Sequence, residues 1–272
     1  MHSLTIHHIS IHLPHFHEAI MRRLRWLAIA ASIVCIICAV LFAFPASRYT
    51  VLAMVRGESF HENRPVGFWA YQLKSDNAEV RLEAVRALGQ LGSESRRAVP
   101  DLAAALKDPD DTVRLNAALA LYKVGPEAVE AMDELVDALK DPHPQVRMNS
   151  ALALTQLGPA CAPFIPAILE AYQNDENGSH VAPFHHSVRQ QLGRALGRIG
   201  PAAKSAVPAL IASLTDGDAG VRATAAFALG RIGPDAGSAI PSLELCLNDD
   251  EQIVRDSAKT ALKLLKTTPA AN

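Results

Sequence analysis

Aromatic residues are scarce in this chain of 272 residues, only 5% of the total, although 49% of the residues are hydrophobic. The apolar mass is therefore Ala and Leu with few β-branched side chains, which suits closely packed helices and suits strands poorly. Neither sign of charge dominates. The 26 Lys and Arg stand against 28 Asp and Glu, a formal −2, which excludes a generally cationic nucleic-acid binder. Four cysteines over this length make no disulfide framework, and so apolar a chain is not disordered in bulk. Walker loops, dinucleotide fingerprints, Ser/His/Asp sets and H-E-x-x-H metal spacings are also missing.

One long apolar run is present. Residues 26–44, from Trp26 to Phe44, contain no charge, Pro or Gly. As a helix of about 1.5 Å per residue this run spans about 28 Å, close to the hydrocarbon core of a bilayer. Arg22, Arg23 and Arg25 in the basic segment 21–25 precede it, whereas only Arg48 and Arg56 follow closely. That asymmetry predicts an uncleaved, single-pass signal anchor with a cytoplasmic N-terminus and an exported body. A cleaved signal peptide and secreted body is the competing reading, although the exits near Ala43 and Ala46 lack a good A-x-A pattern. Residues 1–20 hold six of the eleven histidines and read as a disordered tail; Met21 is itself a well-formed start for translation. Residues 45–63 read as a polar linker, and 267–272 as a C-terminal tail.

The body repeats. Val-Arg occurs at Val80-Arg81, Val113-Arg114, Val146-Arg147, Val188-Arg189, Val221-Arg222 and Val254-Arg255, at intervals of 33, 33, 42, 33 and 33 residues. Asp108, Asp141, Asp216 and Asp249 lie five residues before the Val, a Leu lies eight after it in all six units, and Gly lies twelve after in five. Each unit reads as two helices. In the fifth, Asp216 or Asp218 can cap the start, and Val221, Ala225, Ala228, Leu229 and Ile232 form one helical stripe. Gly233-Pro234 ends that helix, and Pro241 can open the next one. Neither helix can bury its stripe alone, so the units must stack. RPVGFWAYQL before the first unit, with Trp69, Tyr71 and Leu73, and the lysine-faced last helix, with Lys259, Lys263 and Lys266, read as caps. The expected fold is all-α: one transmembrane helix, then a right-handed α-solenoid of about five helix pairs over 64–266 with a capping helix at each end.

The phased pattern D-x-x-x-x-V-R-x-x-A-A-x-A-L-G-x-I-G followed by A-V-P-x-L resembles the HEAT repeat family, in particular its short phycobilisome-lyase-like form. The resemblance covers roughly residues 65–266. It implies a structural ladder at the repeat junctions, made of Asp108, Asp141, Asp216 and Asp249 with Arg114, Arg147, Arg222 and Arg255. The first unit departs, with Ser75 in the Asp phase, and the fourth departs further, with Pro183 there. The resemblance also implies that the second helices line a concave face.

On that basis the contact stripe is expected at Val136, Leu169 and Ile211, able to hold an apolar helix or extended peptide. The alternative is that these side chains fill grooves within the solenoid. The 42-residue interval carries nine extra residues, and its loop 173–186 presents Phe184 and His185 as a second candidate contact. His180, His185 and His186 are of a ligand type that suits zinc, but nothing in their spacing supports a site, and no metal is assigned. Asn177-Gly178-Ser179 matches a glycosylation sequon and equally a turn. Cys161 and Cys246 read as buried fillers. No catalytic residues and no cofactor are assigned. From residue 65 onward 20 basic residues stand against 25 acidic ones, which argues against a nucleic-acid track. The expected function is a non-catalytic, membrane-anchored scaffold for a protein partner, with no small-molecule ligand. The alternative is a lyase-type accessory that holds a cofactor or maturing subunit in the groove.

Overall fold

The computed structural model describes residues 14–43, 45–174, 177 and 186–267. Local chemistry sets the ends of its helices. Six long helices carry the Val-Arg pairs: α4 (Ala78–Leu91), α6 (Asp111–Val124), α8 (Pro144–Leu157), α10 (Val188–Ile199), α12 (Ala219–Ile232) and α14 (Gln252–Thr267). Asn77, Asp110, Ser187 and Asp218 cap four of them, each accepting a backbone N–H of the first turn. Five end at a glycine with φ between 53° and 82°, at Gly92, Gly125, Gly158, Gly200 and Gly233, a conformation in which a Cβ is strained. A 3-10 turn follows each glycine. It leads into a short second helix: α5 (Val99–Ala105), α7 (Met132–Asp137), α9 (Ile165–Gln173), α11 (Val207–Ala212) or α13 (Ile240–Leu245). Pro100, Pro166, Pro208 and Pro241 sit in the first turns of four of these, where a missing N–H costs little.

The helix pairs stack in chain order around one core. The leucines in phase, Leu88, Leu121, Leu154, Leu196 and Leu229, are all fully buried, as are Val146, Val188 and Val254. Successive long helices meet through glycine and alanine. A Cβ on Gly89 would lie 3.2 Å from the Ala120 Cβ, and one on Gly230 would lie 2.7 Å from the Ala261 Cα. At the N-terminal end α3 (Val66–Gln72) buries Trp69 and Val66 over the first pair, whereas Tyr71 is exposed. At the far end Lys259, Lys263 and Lys266 of α14 are exposed, as a terminal unit requires.

Residues 45–63 differ from the expected polar linker. They form α2 (Pro45–Arg56) and half of a minimal hairpin, β1 (Phe60–His61) paired antiparallel with β2 (Arg64–Pro65). Glu62 and Asn63 turn the hairpin with positive φ, the geometry that follows strand twist. The Glu58 carboxylate accepts the Gly67 N–H at 3.1 Å and pairs with Arg97 at 3.3 Å. Trp69 donates its indole N–H to the His61 carbonyl, and Arg64 lies over the Phe68 ring at 4.6 Å. These contacts fasten the segment to the first repeat, so it is a collar.

Ahead of it α1 (Pro14–Ala43) runs for 30 residues. Its residues 21–36 are all exposed, including Trp26, Leu27, Ile29, Ile33 and Ile36. Among the described residues the stretch Pro144–Gln173 has the length and apolar composition of a membrane span. It comprises α8 and α9 joined by a 3-10 turn, with Leu154, Cys161 and Ile168 fully buried in the solenoid core, so composition alone is misleading there.

Candidate functional site

The long helices, not the short ones, line the hollow side of the stack. Tyr122 of α6, Leu152 of α8, Arg194 of α10, Phe227 of α12 and Ser257 of α14 all face one hollow of about 630 Å³. Packed helices stand about 8–10 Å apart, so five in a flat row would extend over roughly 35 Å. They share one hollow because the row curls inward. Glycine and alanine contacts bring successive long helices close together on this side. The expectation that the second helices line the concave face is corrected accordingly.

A second hollow of about 700 Å³ adjoins the first, sharing Phe227, Ile253 and Ser257 and adding Arg231 and Leu264. The same helix face at the N-terminal end, with Glu79, Glu83, Arg86 and the hairpin's Glu62, borders a hollow of about 390 Å³. The inner wall therefore changes along its length, from acidic beside the collar to basic beside α10 and α12. The signal for this stripe was in the sequence. Leu152, Arg194 and Phe227 stand six residues after their Val, and Gln156, Arg198 and Arg231 stand ten after. At those phases residue type changes from repeat to repeat while the core phases stay apolar.

The expected contact stripe lies elsewhere. Val136 is buried, Leu169 and Ile211 are half-buried against the core, and none of the three lines the groove. Phe184, His180 and His185 lie outside the described residues, as do 175–176 and the rest of 178–185. His186 is half-buried, and among the described residues no group of three His, Cys, Asp or Glu is placed to hold a metal. The inserted loop re-enters the fold at Ser187, one turn before Gln191 of the groove.

At the repeat edge each arginine reaches forward to the next unit. Arg81 holds Asp108 through two bonds of 2.7 and 2.8 Å, and Arg114 holds Asp141 at 2.7 Å. Arg189 pairs with Asp216 at 3.2 Å, and Arg222 clasps Asp249 through two bonds of 2.8 Å. Most of these arginines also donate to a carbonyl at the start of their own unit, as Arg114 does to Asp108 and Arg222 to Asp216. Arg81 and Arg189 thus join the set that the resemblance implied. Arg255, at the end of the stack, binds the Asp249 and Asp250 carbonyls. The side-chain bonds from Arg222 hold the Asp249 carboxyl below its ordinary range. For Asp108 burial is the largest single influence and pushes the carboxyl up, but the Arg81 bonds, the Asp110 N–H and the charge of Arg114 together bring the net shift downward.

The fourth unit, which has proline in the aspartate phase, is bridged by a residue that sequence reasoning took for a turn. Arg147 donates to Asn177 Oδ1 at 2.8 Å, and Asn177 Nδ2 donates to the Ala171 carbonyl at 2.8 Å. Asn177 is fully buried, so the folded chain cannot present it for glycosylation. Cys161 is buried too, its thiol pushed up to about 11 by desolvation, which leaves it protonated and a poor nucleophile.

Comparison with known proteins agrees with this architecture. The family model for HEAT repeats matches residues 68–132 and 183–263, and a second HEAT repeat model matches 131–161. Among curated proteins none matches the chain. Similar solved structures include an engineered protein, 25% identical with a TM-score of 0.57, over 74% of this chain and 96% of that one. Another is a designed armadillo repeat protein in complex with the peptide (KR)4, 18% identical with a TM-score of 0.59, over 74% and 99%. The complex of CpcE and CpcF of phycocyanin lyase from Nostoc sp. PCC7120 is 26% identical with a TM-score of 0.52, over 74% and 78%. With phased helix pairs around one core and a family model covering more than half of its length, the chain belongs to the HEAT repeat family.

Proposed function

We propose that the protein is a membrane-anchored, non-catalytic scaffold that holds a protein partner along its inner groove. The observation that carries this reading is the groove itself, a continuous open surface contributed by five successive long helices. An enclosed pocket with converging polar groups would suit a small ligand; adjoining open hollows suit an extended chain or a helix. A solenoid of like fold, the designed armadillo repeat protein, holds a peptide. The similarity to phycocyanin lyase favours the second reading, an accessory that handles a maturing subunit, and that role uses the same surface.

The anchor is α1. Its support is the exposed apolar surface of residues 21–36, the uncharged run 26–44, and the three arginines ahead of it. Water would have to solvate that surface if lipid did not cover it. The basic side stays in the cytoplasm and the solenoid is exported. Protease added outside spheroplasts should digest the solenoid; its protection would overturn the orientation.

Position-specific photocrosslinking in native membranes tests the scaffold reading. A photoreactive residue at Leu152 or Phe227 should capture a partner that the same residue at outward-facing Glu244 does not. Equal capture from Glu244, or none from the groove positions, would refute it.

A further inference from the structure

The groove has a definite charge sign at its C-terminal half. Arg194, Arg198 and Arg231 line it, and among the described residues none of them makes an ion pair or a side-chain hydrogen bond. The contrast with the repeat edge is sharp, where Arg81, Arg114, Arg189 and Arg222 each hold a carboxylate. Arg194 and Arg198 stand one turn apart on α10, and Arg231 repeats the phase of Arg198 on the neighbouring α12. Arg194 is half-buried, and among the described residues no carboxylate pairs with it. Among the described residues the one carboxylate lining this part of the groove, Asp256, accepts from Gln252 at 2.7 Å. Between the arginines the wall is apolar, with Phe227, Ile253 and Leu264 all exposed.

We infer that this half of the groove binds an acidic protein segment that also carries apolar side chains. The inference rests on the scaffold reading above and specifies the chemistry of the partner. Guanidinium groups match carboxylates as paired donors, and the apolar positions between them supply the contact area that charge alone lacks. An acidic segment is favoured over nucleic acid for two reasons. From residue 65 onward the chain carries 25 acidic against 20 basic residues, and Glu79, Glu83 and Glu62 close the other end of the inner wall to a polyanion.

The test is selection from an unbiased library of displayed peptides of roughly twelve residues, long enough to span both hollows, against the full chain in detergent micelles. Enriched peptides should combine Asp or Glu with Leu, Ile or Phe. Reversing one arginine, as in Arg231→Glu, should weaken their binding roughly tenfold. The triple variant Arg194→Glu, Arg198→Glu, Arg231→Glu should prefer the same peptides with Lys in place of the acids. If the triple variant does not melt like the wild type, Arg231→Glu and Arg198→Glu, both at exposed positions, carry the test singly. Enrichment of neutral or basic peptides that still depend on Phe227 would overturn the charge assignment and leave the scaffold reading standing. Enrichment independent of Phe227 and the arginines, or none at all, would overturn both. Tighter binding of an oligothymidine of similar length would replace the acidic segment with nucleic acid.

Discussion

Replacing Asn177 with Ala is the sharpest probe of how the enlarged repeat is held. The substitution removes the acceptor for Arg147 Nε and the donor to the Ala171 carbonyl, both bonds of 2.8 Å. Arg147 is only 7% exposed, so water cannot take over as acceptor without opening the junction. A hydrogen bond to a charged group is worth about 1.5–3 kcal/mol and a neutral one about 1 kcal/mol, so the combined loss is about 2.5–4 kcal/mol. For a solenoid of this size each kcal/mol moves Tm by about 2–4 °C, which predicts a fall of about 5–15 °C. Circular dichroism melting of the full chain in micelles reads that fall. Hydrogen exchange should place it in α9 and α10, because each repeat couples mainly to its neighbours. Asn177→Asp should fall between the two, restoring charge to the Arg147 partner while setting a carboxylate oxygen against the Ala171 carbonyl. A melting temperature within about 2 °C of wild type for Asn177→Ala would refute the bridging role.

The folded chain should also accept no glycan at Asn177 from an oligosaccharyltransferase added after folding, a point that intact mass decides. Gly230→Val pushes a Cβ into the Ala261 backbone of α14, and overpacking of about 1–3 kcal/mol should loosen the last helix first, visible as faster exchange there. Asp108 and Asp249 have carboxyls held below their unfolded value of about 3.9, so the stability they confer is complete above that pH and is lost as pH falls through the lower folded value. Stability should therefore hold from pH 7 to about 5 and drop below about 4, with a smaller drop in Arg222→Gln. Cys161, with its thiol near 11, should resist alkylation at pH 8 until the chain unfolds; rapid labelling of the native protein would contradict its burial.

Much of the architecture can be read along the chain because it is written in local chemistry. A capping Asp or Asn, an apolar stripe, a glycine with positive φ and a proline after the turn each act within a few residues, and they recur at one phase. The stacking follows as well, since neither helix of a pair can bury its stripe alone. The forward-reaching arginines recur in the same way, 27 residues before their aspartates in Arg81–Asp108 and Arg222–Asp249.

What escaped sequence reasoning depends on partners that meet only in space. Glu58 is fixed by Gly67 and by Arg97, 39 residues on, so a stretch that reads as polar linker becomes a collar. Asn177 takes the place of an aspartate 30 residues from Arg147, outside the repeat phase, because the inserted residues shift the register. The direction of curvature is the largest such case. The sequence by itself determined two rows of helices, their ends and their shared core. Only the tertiary structure decided which row faces inward, because curvature reflects the difference between two sums of inter-helix spacings. Gly89 against Ala120 and Gly230 against Ala261 bring successive long helices close together on that side, where Arg194, Arg198, Arg231 and Phe227 line the inner wall.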